Sequence, residues 1–153
     1  MSQQEKKWPL EGVRVLDLGQ IYNGPYAGFL MAHAGADVIK LEPLHGEILR
    51  QRGGGVVPLS FAMLNTNKRG IAINLKDQIG KNILKDLVKK ADVLLENFSP
   101  DAMDRLGLGS DVLTKINPRL IYASGTGYGL SGPDKNNLAM DLTVQAIGGV
   151  MSI

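Results

Sequence analysis

Val13-Arg14-Val15-Leu16-Asp17-Leu18-Gly19, then Asn23-Gly24-Pro25-Tyr26, and after Gly35 the run Asp37-Val38-Ile39-Lys40-Leu41-Glu42 decide the fold. The first run is short, β-rich and closed by a glycine, which predicts a strand. Pro25 suits a first helical position, Tyr26 to Ala34 is apolar, and Gly35 marks an exit, so a helix follows. Asp37 to Leu41 is the next strand, with Glu42 at its end. Strand, helix and strand within about 30 residues make one βαβ unit.

The same alternation continues along the chain. A Gly-rich loop through Gly53-Gly54-Gly55 leads to a short helix over Leu59 to Leu64 and a strand over Ile71 to Leu75. Asp77 can cap a helix reaching Lys90, with Ile79, Ile83, Leu84, Leu87 and Val88 on one face and Lys81, Lys85, Lys89 and Lys90 solvated. Asp92 to Leu95 is short and apolar, as buried parallel strands are. Ser99-Pro100 and Ser110-Asp111 each open a helix, Arg119 to Ser124 is a further strand, and a last helix begins near Met140. The predicted class is α/β, a Rossmann-like, mostly parallel sheet with helices on both faces.

Composition narrows the function. The 153 residues carry 17 Lys+Arg against 15 Asp+Glu, a net charge of +2, too balanced to indicate nucleic acid or membrane as a partner. There is no cysteine, which removes disulfides, a thiol nucleophile and thiolate metal sites, and the two histidines, His33 and His45, are too few for a histidine-rich metal centre. No apolar run approaches the ~18 residues of a membrane span and no signal-peptide pattern opens the chain, so the expected setting is cytoplasmic. Residues 1–9 read as a polar tail and 10–153 as one domain. The apolar ending Ala146 to Ile153 has no polar fringe and reads as a domain cut within an element or completed by more protein.

Ligands of open α/β sheets sit at the carboxyl ends of the strands. Gly19 to Gly24 has the G-x-x-x-x-G spacing, but Pro25-Tyr26 follows where a phosphate loop needs Lys and Ser or Thr. A dinucleotide site needs G-x-G-x-x-G, which is absent there, although Glu42 could serve as its ribose acid. Gly125-Thr126-Gly127-Tyr128-Gly129 reads as a loop needing positive φ. Lys68, Arg69, Lys76 and Arg105 could meet an anionic ligand or remain solvated surface charges. Asp141, opening the last helix, could cap it or face a ligand.

Taken in order, Leu10-Glu11-Gly12-Val13-Arg14-Val15-Leu16-Asp17-Leu18, Gly24-Pro25, Gly35 to Glu42, Asn67-Lys68-Arg69, Ala91 to Phe98, Leu106-Gly107 and Gly125 to Gly129 form a specific pattern. The chain resembles the N-terminal part of family III CoA-transferases, which include formyl-CoA transferase, carnitine CoA-transferase and α-methylacyl-CoA racemase. The resemblance implies a CoA-binding domain of a longer, interlocked homodimer. That enzyme moves coenzyme A between acyl-CoA and a carboxylic acid through an aspartyl-CoA thioester, with no permanently bound cofactor.

Carried over by position, Ile73, Lys76, Asn97, Phe98 and Arg105 would bind coenzyme A. The loop Gln20 to Asn23 would lie near the thioester, and Asp141 would stand in the vicinity of the active site. Pro43 replaces a CoA-contacting arginine of formyl-CoA transferase. The family's nucleophilic aspartate would fall beyond Ile153, leaving this chain alone inactive. Met140 stands where racemases carry a proton-transferring histidine, which favours transfer over racemisation. The alternatives are a stand-alone CoA- or nucleotide-binding module without catalysis and, more weakly, part of an NAD(P) dehydrogenase.

Overall fold

The computed structural model describes residues 8–152; most of the expected polar tail, and the final Ile153, lie outside them. Five strands, β1 (Arg14–Asp17), β2 (Asp37–Glu42), β3 (Arg69–Ala72), β4 (Val93–Glu96) and β5 (Ile121–Ser124), form one sheet in the order β3-β2-β1-β4-β5. Every pairing is parallel, with Val15 opposite both Val38 and Val93. The helices are α1 (Asn23–His33), α2 (Ile48–Gln51), α3 (Leu59–Leu64), α4 (Gln78–Val88), α5 (Ala102–Arg105), α6 (Ser110–Ile116) and α7 (Asp141–Ile147), with a 3-10 turn at Val150–Ser152.

Alternation along the strands splits the core in two. Leu16, Leu41 and Leu94 pack with Leu84 and Val88 of α4 and Leu113 of α6. Val15, Val38, Val93 and Leu95 pack on the opposite face with Ala32 of α1. Helices therefore cover both faces, as β4, buried at every position, requires of a central parallel strand. A third cluster, Leu49, Phe61 and Leu64, joins α2 to α3, and the Arg50 guanidinium lies 3.9 Å over the Phe61 ring.

Several expectations need correction. Helix α1 starts at Asn23, so Pro25 occupies its third position, where the missing N–H is still one the helix would leave unpaired. Strand β3 lies two residues earlier than its sequence signal, although Ile73 N–H still reaches the Glu42 carbonyl at 2.8 Å. The chain must then turn, because Asn74 Oδ1 accepts Lys76 N–H and Asp77 caps α4 through Ile79 N–H at 2.7 Å. On α4 the buried stripe is Gly80, Leu84 and Val88, whereas Ile79 and Ile83 face outward. In the Gly125–Gly129 loop only Gly129 has positive φ, at +87°. A Cβ on Gly125 would come within 3.3 Å of both Asn23 and Asn97, so close approach explains that glycine instead. Helix α7 buries none of its residues. Among the described residues no helix is long and apolar enough to cross a membrane.

Candidate functional site

The strand order reverses direction between β1 and β4, the point where such sheets open a crevice at their carboxyl ends. A cleft of about 390 Å³ lies at this end of the sheet. Leu18, Leu41, Ile73, Phe98 and Leu106 supply its apolar wall, and Gln20, Glu42, His45, Glu47, Asn74 and Lys76 its polar groups. Ile73 is buried where β3 ends, and Lys76 is exposed in the turn that follows, so the strand and the Asn74 turn together place both. An apolar slot with a few polar groups at its margin has the make-up of a small-molecule site.

Of the expected site residues, Ile73, Lys76 and Phe98 meet in this cleft. Asn97 does not line it. Its amide is engaged by the neighbouring loop, accepting Gln20 N–H at 2.6 Å and donating to the Gln20 carbonyl at 3.0 Å. Arg105 is exposed at the end of α5 and donates to the Pro100 carbonyl at 3.1 Å, while the adjacent Leu106 reaches the cleft. Asp141 is exposed outside it and is not the helix cap, since Met140 holds that position; the Asp141 carboxylate accepts from Gln145 Nε2 at 3.0 Å. Pro43 lines the cleft margin. Phe98 also faces a second cavity of about 250 Å³, bordered by Glu96, Asp101, Asp104 and Tyr122. Burial first, then the Glu96 and Asp104 charges, push the Tyr122 hydroxyl far above its usual range.

The basic residues separate sharply. Lys68 is neither ligand-facing nor solvated: its ammonium is 1% exposed and pairs with the fully buried Asp17 carboxylate at 2.7 Å. It also donates to the Pro25 carbonyl and to Asn65 Oδ1. Burial pulls the Lys68 pKa down despite the opposing pull of Asp17. Arg69 forks onto Asp37 at the other end of the sheet. Glu42 is unavailable to a ribose, because Arg50 binds both its oxygens at 2.6 and 2.8 Å and the Glu47 amide adds a third bond. Burial works against the Glu42 charge, but Arg50, the Glu47 amide and Lys40 together hold its carboxyl below the ordinary range.

The loop from Gly19 into α1 is the part of the site that sequence reasoning located without seeing how it is built. Asp17 Oδ1 accepts Gly19 N–H, the Lys40 ammonium donates to the Gly19 carbonyl, and Glu47 Oε1 accepts Ile21 N–H at 2.8 Å. Ile21 has φ +62°, a conformation a β-branched residue adopts at a cost of about 1–3 kcal/mol. The loop packs so tightly that a Cβ on Gly19 would lie 2.6 Å from the Gly24 backbone. Charges inside apolar strands, Asp17 and Lys40, were the available signal for this network. Glu47 carried none, because it lies in a loop with no periodic pattern.

Residues 10–153 match the family model described as CoA-transferase family III. The formyl-CoA:oxalate CoA-transferase of Streptomyces coelicolor is 47% identical over 146 residues, covering 94% of this chain and 35% of that protein. The acetyl-CoA:oxalate CoA-transferase of Acetobacter aceti is 45% identical over 95% of this chain and 38% of its own length. Among solved structures, a CAIB/BAIF family protein from Brucella suis superposes with a TM-score of 0.90 at 35% identity, over 97% of this chain and 41% of that one. The chain thus spans little more than a third of the length of the curated relatives it matches.

Proposed function

The chain belongs to CoA-transferase family III, and from that premise we propose that residues 10–153 form the coenzyme A-binding domain of an enzyme that moves coenzyme A between an acyl-CoA and a carboxylic acid. The observation that carries this is the cleft at the carboxyl end of the sheet, where Ile73 and Phe98 form apolar walls beside the Lys76 ammonium. The adenine would pack on those walls, and the phosphates would meet Lys76 and Arg105, whose exposed guanidinium can leave the Pro100 carbonyl. Asn97 would act through the loop it holds. With proline at position 43, these two cations carry more of the phosphate recognition.

The chemistry we assign to the whole enzyme is covalent catalysis by a carboxylate. An aspartate oxygen attacks the thioester carbonyl, the C–S bond breaks, and a mixed anhydride and CoA thiolate result. The thiolate then attacks the aspartyl carbonyl of the anhydride, releasing the donor acid as carboxylate and leaving an aspartyl-CoA thioester. The acceptor acid runs both steps in reverse. The resemblance assigns that aspartate to a region beyond Ile153, and Asp141, exposed and absent from the cleft lining, is not given its role; this chain then binds coenzyme A without turning it over. Met140 has no proton to exchange, which favours transfer over racemisation. The resemblance further supports an interlocked dimer, and the relatives named for oxalate make a small dicarboxylic acid the first acceptor to test.

Calorimetric titration of the 153-residue chain with coenzyme A tests the reading. Lys76→Ala with Arg105→Ala is expected to weaken binding at least about tenfold, since each charge-assisted bond contributes roughly 1.5–3 kcal/mol. Unchanged affinity in the double variant removes the site assignment. Tight NAD binding without coenzyme A binding replaces it with a dinucleotide site.

A further inference from the structure

The loop that begins at Gly19 has no regular structure, yet the backbone groups of its first residues are each taken by a side chain. Asp17, Lys40 and Asn97, which hold Gly19 and Gln20, all sit on or just after strands of the sheet. Glu47 comes from elsewhere: it is the N-cap of the four-residue helix α2, and the oxygen that accepts Ile21 N–H also accepts Leu49 N–H at 3.2 Å. Its side chain is 2% exposed, and Oε2 has no hydrogen-bond partner among the described residues.

Capping alone does not account for this residue. A buried carboxylate oxygen without a partner is costly, and the shorter Ser, Asn or Asp cap a helix at least as well. What the longer side chain adds is reach across to Ile21, which sits at φ +62°.

We propose that Glu47 is a positioning residue for the ligand cleft: by accepting the Ile21 amide it holds Ile21 left-handed and fixes Gln20 in the cleft wall. Gln20 and Glu47 both line the cleft, and Tyr22, next after Ile21, is the N-cap of α1. Releasing Ile21 lets that residue relax toward an ordinary backbone conformation and leaves Gln20 held from the Asn97 side alone, so that it shifts in the wall. Only the ligand consequence of this proposal rests on the coenzyme A reading.

Amide exchange followed residue by residue in the 153-residue chain, with coenzyme A titration, decides the matter. Glu47→Ala is expected to raise exchange at Ile21 at least tenfold, leave the Val15, Leu16 and Leu94 amides unchanged, and weaken coenzyme A about tenfold. Glu47→Gln, which keeps an acceptor of the same length, is expected to restore Ile21 protection. Glu47→Asp retains charge and cap but is one methylene too short, so it is expected to keep the fold and still lose Ile21 protection; it serves as the test if Glu47→Ala does not fold. Unchanged Ile21 protection in Glu47→Asp, or a uniform loss across the whole chain in every variant, overturns the proposal. An unmodified chain that ignores coenzyme A defeats the coenzyme A reading instead, and the exchange data still judge Glu47.

Discussion

Lys68 shows at the residue scale how a cation near a ligand site can serve the scaffold. Its partner Asp17 lies 51 residues away in sequence, and the pair is buried beneath the start of α1. Replacing Lys68 by Met leaves Asp17 charged and unpaired, so urea denaturation should show a loss of about 3–5 kcal/mol. Adding Asp17→Asn should cost less than the sum of the two single changes, because both remove one coupling. Gly28 faces the same pair: a Cβ there would stand 2.6 Å from Asp17 Oδ2 and 3.0 Å from Lys68 Nζ. Gly28→Ala should therefore destabilise by about 1–3 kcal/mol in the same measurement. None of this was legible from spacing. A lysine beside Arg69 at the start of a strand looks like surface charge, and only the folded sheet reveals the buried acid waiting for it.

At the scale of elements, legibility followed periodicity. Four of the strands and α4 were readable from their apolar pattern and from Asp77 standing where a cap belongs, whereas β3 starts two residues before its signal and leaves most of its positions exposed. Asp77→Ala should cost about 1 kcal/mol and Leu84→Ala about 2–5 kcal/mol, whereas Ile79→Ser should stay within about 0.5 kcal/mol because Ile79 faces outward. Thermal or urea unfolding of the three variants checks that ranking. Helix α2 was not readable: four residues give no helical repeat, and glutamate is not a favoured cap. The cleft was readable only in part. Lys76 could be singled out by its place after a strand, but Ile73 and Phe98 came only with the family resemblance, and the role of Asn97 in holding Gln20 depends on a pairing of β1 with β4 that local pattern does not reveal.

For the whole molecule, acid is the informative stress. Glu42 and Asp37 both titrate below their ordinary values of 4.5 and 3.8 when folded, because bound arginines outweigh the effect of burial. Their stabilisation is complete above those unfolded values and disappears as pH falls through the lower folded ones. Calorimetric melting temperatures for Glu42→Gln should therefore fall below wild type at neutral pH and converge with it in acid; a constant offset at every pH would contradict the assignment. The order of the sheet has a consequence for how the chain is made. β1 is central, flanked by β2 and by β4, and the Arg14 amide meets the Asp92 carboxylate across 78 residues of chain. On the ribosome, one edge of β1 must wait with its apolar residues unpartnered until the Val93–Glu96 segment has emerged. Non-local parallel pairing of this kind is slow and leaves nascent strands open to wrong partners. The architecture that gathers the ends of β1, β2 and β3 around the cleft also leaves β1, made before both its neighbours, half-open until β4 arrives.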